Sequence, residues 1–357
     1  MRTVGVEEEL ILVDPGRGEP QAVSGAVLAL APDDGLEQEL QLEQLEVATR
    51  PKSAMSELSK EIKRWRAEAV RRAAQVGAVP VALATSPLPV HPSLTSSERY
   101  RWMREEFALT AQEQLTCGCH IHVSVESDEE GVGVLDRIRP WLAPLLALSS
   151  NSPFWHARDT GYSSYRSRVW GRWPSAGPVE IFGSVERYRR QVRAMLDTGA
   201  LLDEGMIYFD ARLSRHYPTV EVRVADVCME AEDTLLLAML VRALVETAAR
   251  EWRTGQPPEP AGIGLLRLAA WRAGRSGLDA DLVQPLIWTP APAETVMRAL
   301  LDHVREALAE AGDLESAEER LAELLRRGSG ARRQREVFER TSELRAVVMD
   351  CADRTVA

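Results

Sequence analysis

Four short segments set ionisable side chains inside runs otherwise suited to β-strands. The first is Val4-Gly5-Val6-Glu7-Glu8-Glu9-Leu10. A strand alternates its faces, so Glu7 and Glu9 share one face and Glu8 points the other way. Two carboxylates side by side on an apolar strand repel each other. A divalent cation such as Mg²⁺ or Mn²⁺ removes that cost, because both favour oxygen donors. The competing reading is the solvated face of an edge strand. The second segment, Leu42 to Val47, places Glu46 between strand-forming apolar residues, with Glu39 seven positions earlier. Those two share a face only if a bulge intervenes.

The third segment is Cys117-Gly118-Cys119-His120-Ile121-His122-Val123. Alternation puts Cys117 and Cys119 on one face and His120 and His122 on the other, so the four do not converge on a tetrahedral zinc ion. The histidines are expected to face the same cavity as the glutamates, with the cysteines as small core residues; two satisfied structural histidines are the alternative. The fourth segment is Thr219 to Asp226, in which Glu221 and Arg223 share a face. This pair reads either as a salt bridge or as a metal ligand beside a phosphate-binding guanidinium, whose planar fork donates two hydrogen bonds at once.

Between the third and fourth segments, Arg166, Arg168 and Arg172 lie within seven residues, among glycines, serines and the aromatics Tyr165, Trp170 and Trp173. That composition fits an anion-binding loop packed against something, although a basic surface cluster uses the same residues. The chain carries neither a G-x-x-x-x-G-K-[ST] nor a G-x-G-x-x-G motif, so a bound nucleotide would not sit on a P-loop or a Rossmann turn. No Ser–His–Asp or Cys–His nucleophile pattern is evident.

The elements that must hold these groups read as a mixed succession. Strands are expected over 3–13, 39–49, 79–84, 115–125, 207–211 and 219–227. Helices are expected from Ser53 as N-cap to Val76, over 95–109, over 135–148 after an acidic loop, and over 185–196. Residues 152–178 read as a long ordered loop, a length usually tied to function. From Glu232 onward the spacing is helical, divided by Gln256-Pro257-Pro258-Glu259-Pro260 and Thr289-Pro290-Ala291-Pro292. Strands followed by helices predict an α+β fold with an antiparallel sheet and helices to one side. The expected division is a catalytic core over 1–255 and a helical part over 256–357 packed on the same domain.

The formal net charge of −11 argues against general nucleic-acid or anionic-membrane binding, which need a positive field. The longest apolar stretch, near Trp141–Leu148, is interrupted by Pro144 and is far short of the ~20 residues of a membrane span. No secretory signal is visible at the start, and four cysteines form no disulfide framework, so a cytoplasmic setting is expected. Assembly with further copies of the chain is left open.

In order and spacing, the segments GVEEEL, Glu39 to Val47, GCHIHVSV, NSPFW, SYRSRVWGRWPSAGP and PTVEVRVAD resemble those of the glutamate–cysteine ligase type 2 family of carboxylate–amine ligases. The resemblance spans about residues 4–255, and Cys119 stands where the family more often has a bulkier apolar residue. It implies a glutamine-synthetase-like (guanido-kinase-like) catalytic fold, a curved antiparallel sheet forming a funnel that holds ATP, metal ions and an amino acid. It implies Glu7, Glu9, Glu46 and Glu221 as ligands of Mg²⁺ or Mn²⁺. Glu39 and His122 would line the same cavity, and Arg166, Arg168 and Arg223 would contact phosphate or a substrate carboxylate. The activity implied is ATP-dependent joining of the γ-carboxylate of glutamate to cysteine or another small amine. A Mg·ATP phosphotransferase of the guanido-kinase type and a non-catalytic ligand-binding homologue are the alternatives.

Overall fold

The structure is a computed structural model that describes residues 1–30 and 35–356. Its centre is a seven-stranded, wholly antiparallel sheet. The strands are β1 (Val4–Val13), β2 (Leu36–Gln38), β3 (Gln44–Ala48), β4 (Val79–Val81) and β5 (Gly118–Ser124) in the first part of the chain. A separate small hairpin, β6 (Phe154–Trp155) and β7 (Arg158–Asp159), follows, and β8 (Ala211–Leu213) and β9 (Thr219–Asp226) complete the sheet. The order is β2-β3-β1-β5-β9-β8, with β4 pairing the far end of β1. The expected α+β architecture with an antiparallel sheet is therefore the one found.

Strand alternation assigns the two faces. Val4, Val6, Cys119, Ile121, Val123, Val220 and Val222 are buried behind the sheet. The 23-residue helix Ala231–Arg253 packs on that apolar face, and its run of leucines, alanines and valines is buried nearly all round, as expected of a core helix. The other face carries the glutamates and histidines.

Several local expectations are corrected. Glu39–Thr49 is not one strand but the β2–β3 hairpin, with Glu37 opposite Glu46 and Glu39 in the turn. Helix Met55–Gln75 is preceded by Ala54 with no side-chain cap, so Ser53 does not cap it. The acidic stretch before residue 135 is itself helical. Ser127 accepts a hydrogen bond from the Glu130 N–H, and helix Asp128–Ile138 begins with three acids in its first turn, where the helix dipole favours them. A 3₁₀ turn, Arg139–Trp141, joins it to Leu142–Ser149. The helix expected over 95–109 is Glu98–Phe107, capped by Ser97 and ended by a positive φ at Ala108. The strand expected over 207–211 lies at Ala211–Leu213. The long segment 152–178 contains β6, β7 and the short helix Arg166–Trp170, so Arg166 and Arg168 are helical.

The last hundred residues are helical apart from a small hairpin, with residue 357 outside the described region. They share cores with the sheet: Val347, Val348 and Cys351 pack with Leu10, Ile11 and Val81. The Thr355 hydroxyl accepts from the Ala82 N–H at 2.9 Å. Among the described residues no helix is long and apolar enough to cross a membrane.

Candidate functional site

The polar face of the sheet lines a cavity of about 290 Å³. Register explains how distant segments meet there. Glu9 lies opposite Glu46 on β3, and Glu7 lies opposite His120 on β5. His122 lies between Gly5 and Glu221, and Glu221 in turn lies opposite Arg212 of β8. Of the nine residues to which the resemblance gives a role, seven line this cavity, namely Glu7, Glu9, Glu39, Glu46, His122, Glu221 and Arg223, and His120 lines it with them.

Two groups of donors stand out, each with ligand atoms mutually within 4.8 Å. The first is Glu7, His122 and Glu221. His122 Nε2 lies 3.1 Å from Glu7 Oε1, outside hydrogen-bond geometry, while its Nδ1 contacts the Thr219 hydroxyl at 3.0 Å. Burial pushes the Glu7 carboxyl up, but His120 and His122 outweigh it and hold Glu7 well below the usual carboxylate range. Burial also opposes protonation of His122, yet its contact with Glu7 leaves the imidazole pKa raised. Glu221 is likewise pushed up by burial and pulled down further by Arg223 and Arg212, ending far below the ordinary value. Arg212 Nε donates to Glu221 Oε2 at 2.7 Å, and Arg223 donates to Oε1. The salt bridge weighed from the sequence is thus present, and Arg212 is its second cation.

The second group is Glu9, Glu39 and Glu46. Here three acids meet with no arginine or lysine ion-paired to them among the described residues. His120 Nε2 lies 3.9 Å from Glu9 Oε1, but burial lowers the His120 pKa to about 4 and leaves it uncharged near neutral pH. Glu9 is pushed up to about 7 by burial and by Glu39, against the pull of Arg166. Burial and the neighbouring Glu39 and Glu7 drive Glu46 well above the usual range. Glu9 accepts the Gly118 N–H at 2.7 Å, which fixes one of its oxygens. Both groups suit a hard divalent cation by donor chemistry. In the second, the mutual repulsion is what such a cation would relieve.

The third acid of the first strand behaves differently. Glu8 points behind the sheet into a bidentate pair with Arg66, at 2.5 and 2.8 Å, and also accepts from Thr234 at 2.6 Å. The expected split of faces within Glu7-Glu8-Glu9 is what is observed.

The cysteines need a correction. Cys119 lies behind the sheet, but Cys117 precedes β5, and its Sγ accepts from Gln44 Nε2 at 3.5 Å near Glu9. Alternation does not extend to Cys117, because the strand starts at Gly118 and its register shifts between Cys119 and Ile121. All four cysteines are free and buried.

Arg166 is 2% exposed and lies at the edge of this cavity. Its position is set by Asp226, which accepts from the Asn151 N–H and from the hydroxyls of Ser152 and Ser164 at 2.7–2.9 Å. Asp226 thereby ties the end of β9 to the segment that starts the Arg166 helix. A Cβ at Gly118 would collide with the Arg166 guanidinium, so glycine is needed there for the arginine to pass. Trp170 lies under both Arg166 and Arg223, 5.4 and 5.8 Å from their guanidinium carbons. Nε of Arg166, Nε of Arg223 and Nε2 of His120 are buried without a hydrogen-bond partner. The two guanidinium N–H groups are unpaired buried donors, which are costly, and both arginines act on the nearby Glu9 carboxylate. The neutral His120 instead directs its Nδ1–H toward Glu7 and leaves Nε2 as an acceptor. Arg166 and Arg168 do not line the carboxylate cavity; they line a neighbouring one of about 300 Å³, which shares Trp170 and Arg223 with it. Arg172 instead pairs with Glu113 at 2.7 Å.

Arg212, Asp226 and Asp210 escape sequence reading. Arg212 earns its place only through cross-strand register, and the other two look like ordinary acids next to a strand.

Residues 3–350 match the sequence model of glutamate-cysteine ligase family 2 (GCS2). The chain is 60% identical over 360 residues to a Streptomyces avermitilis protein provisionally named glutamate–cysteine ligase 2-1, covering 99% of each. It is 59% identical over 362 residues to a Streptomyces coelicolor protein provisionally named glutamate–cysteine ligase 2, covering all of both. Among solved structures, it shares its fold with a Francisella tularensis glutamate–cysteine ligase crystallised in complex with AMP. That likeness has a TM-score of 0.71 at 15% identity and covers 99% of this chain and 88% of the other.

Proposed function

We infer, because this chain belongs to glutamate-cysteine ligase family 2, that it is a carboxylate–amine ligase driven by ATP. The finer reading is that it activates the γ-carboxylate of glutamate as an acyl phosphate and joins it to cysteine or another small amine. The observation that carries it is the pair of carboxylate groups sharing β1 beneath Arg223 and beside Arg166. A carboxylate is a poor electrophile, and turning it into an acyl phosphate needs charge neutralisation more than a protein nucleophile.

The two donor groups fit Mg²⁺ or Mn²⁺, with Glu7, Glu9, Glu46 and Glu221 as the principal ligands. When bound, such ions neutralise phosphate oxygens and ATP supplies the phosphoryl group. The chain's own residues then do the rest. Arg223 holds Glu221 in place and presents its free Nε to an incoming anion. Arg166, kept in position by Asp226, and Arg168 are assigned to the phosphate or the substrate carboxylate. Glu39 closes the second group from the β2–β3 turn, and His122, braced by Thr219, orients Glu7. Nucleotide binding draws support from the AMP held by the Francisella ligase of the same fold. Residues 1–255 would form the catalytic core with 256–357 packed on it, in a cytoplasmic setting suited to four unpaired cysteines.

The deciding experiment scores a panel of amino acids for ATP-dependent phosphate release and identifies the product. Amide formation with glutamate supports the reading. A phosphorylated guanidine without an amide would replace it by a phosphotransferase.

A further inference from the structure

The neighbouring cavity of about 300 Å³ has a composition unlike the carboxylate one. Arg139, Arg166, Arg168, Arg223 and Arg267 line it with one acid, Asp210, between apolar walls that include Leu142 and Leu266. The Arg139 guanidinium is already taken up by the carbonyls of Val179, Ala261 and Glu259. Among the described residues, neither Arg168 nor Arg267 makes an ion pair, and the Asp210 carboxylate accepts no hydrogen bond. Burial pushes Asp210 up to about 7 even though Arg168, Arg166 and Arg267 all act to lower it. The charges are close enough to feel one another and are not in contact. Arg168 and Asp210 are half-buried and Arg267 is exposed, so these charges line a chamber open to an incoming ligand and have no ion-pair partner of their own among the described residues. Arg166 and Arg223 add two buried Nε donors with no partner.

We propose that this second chamber seats the amino-acid end of the carboxylate substrate, its α-carboxylate against Arg168 and Arg267 and its α-ammonium against Asp210. The side-chain carboxylate then reaches past Arg166, Trp170 and Arg223, which border the metal-binding cavity or line both. Charge matching selects this ligand. A zwitterion offers one anion to the guanidiniums and one cation to the lone acid. A neutral nucleotide base would leave Arg168 and Arg267 unmatched. Chemistry then selects which amino acid it is. The amine that forms the new bond must lose its proton and present a lone pair at the activated carbon, so it cannot be held as an ammonium against Asp210. The chamber therefore serves the substrate whose α-amine survives the reaction, which is the carboxylate donor. Arg267 comes from helix Ile263–Ser276, which gives the C-terminal helices a share in the site. The inference rests on the ligase reading for the identity of the reaction, and its test can be read without turnover.

The probes are L-glutamate and N-acetyl-L-glutamate, added with Mg²⁺ but without nucleotide to the parent, Asp210→Asn and Arg267→Gln proteins while melting temperature is followed. L-Glutamate should stabilise the parent, the N-acetyl compound should do so much less, and both variants should lose the gain. In turnover, KM for the amino acid should rise by at least ~tenfold in each variant, with KM for ATP changed by less than about twofold. Arg267 is exposed, so its variant keeps the test open if Asp210→Asn fails to fold. The proposal is overturned if Arg267→Gln responds to L-glutamate as the parent does. It is also overturned if no common amino acid stabilises the parent, or if the rise in KM falls on ATP, which would make this a nucleotide chamber. A parent that binds L-glutamate through these residues yet releases no phosphate with any amine would leave the chamber standing and remove the ligase reading.

Discussion

Glu8 and its neighbours Glu7 and Glu9 are the same residue type on one strand, and they lead opposite lives. Glu8 faces the core, where Arg66, itself 1% exposed, grips both its oxygens. Glu7 and Glu9 face a cavity among other acids. Behind the sheet, the negative charge is matched inside the protein and the pair holds helix Met55–Gln75 to β1 and, through the carbonyls of Cys228 and Met229, to the end of β9. On the open side the matching is incomplete, most of all around Glu46. The closed side balances its charge internally, and the open side leaves carboxylates unmatched.

The largest expected effect lies on the closed side. Glu8→Gln or Arg66→Ala strands one member of a buried pair and should cost about 3–5 kcal/mol of stability, measured by urea unfolding. A loss under ~1 kcal/mol in both would erase the contrast. Glu8→Gln is accordingly a poor silent control for activity, since it tests folding.

On the open side, Arg166→Ala and Arg168→Ala should each raise the barrier of the ATP-dependent reaction by about 1.5–3 kcal/mol through loss of a charge-assisted contact. Circular dichroism should show the fold intact. Steady-state kinetics equal to the parent's in both variants would remove these arginines from the site.

The two carboxylate groups should then part from each other. Glu46→Gln relieves repulsion and should gain about 1 kcal/mol in metal-free buffer, while losing most of the rise in melting temperature that Mg²⁺ gives the parent. Glu221→Gln should instead lose stability without metal, because Arg212 and Arg223 forfeit their partner. Equal responses from the two variants would show that the groups do not differ as described.

The smallest effect comes from a group remote from both faces. His303 stacks on Trp141 at 4.3 Å, and burial lowers its pKa to about 4. As pH falls through the ordinary value near 6.5, the unfolded chain takes up this proton before the native one does. Stability from this residue is therefore lost between about pH 6.5 and 4, amounting to about 1 kcal/mol by pH 5.5. His303→Gln should flatten that part of the pH profile, and an unaltered profile would assign the acid sensitivity to the site.

Alternation along a strand is a local property, and it fixed a good deal here. It separated Glu8 from Glu7 and Glu9, placed His120 and His122 with the glutamates, and paired Glu221 with Arg223. The antiparallel sheet and the long helix behind it followed from the same periodicities. Where local geometry broke, the reading broke too: Cys117 lies one residue outside its strand, and Glu39 reaches Glu46 around a turn rather than along a strand. What the tertiary structure alone decided are the meetings between elements far apart in the chain. Arg212 meets Glu221 through the register of β8 on β9. Arg166 passes Gly118 because Asp226 anchors its helix. Asp210, Arg168 and Arg267 come from three separate segments of the chain to border one chamber. Side-chain periodicity says which way a residue points but nothing of what it will face, because the partner is set by strand register and helix packing summed over the whole core.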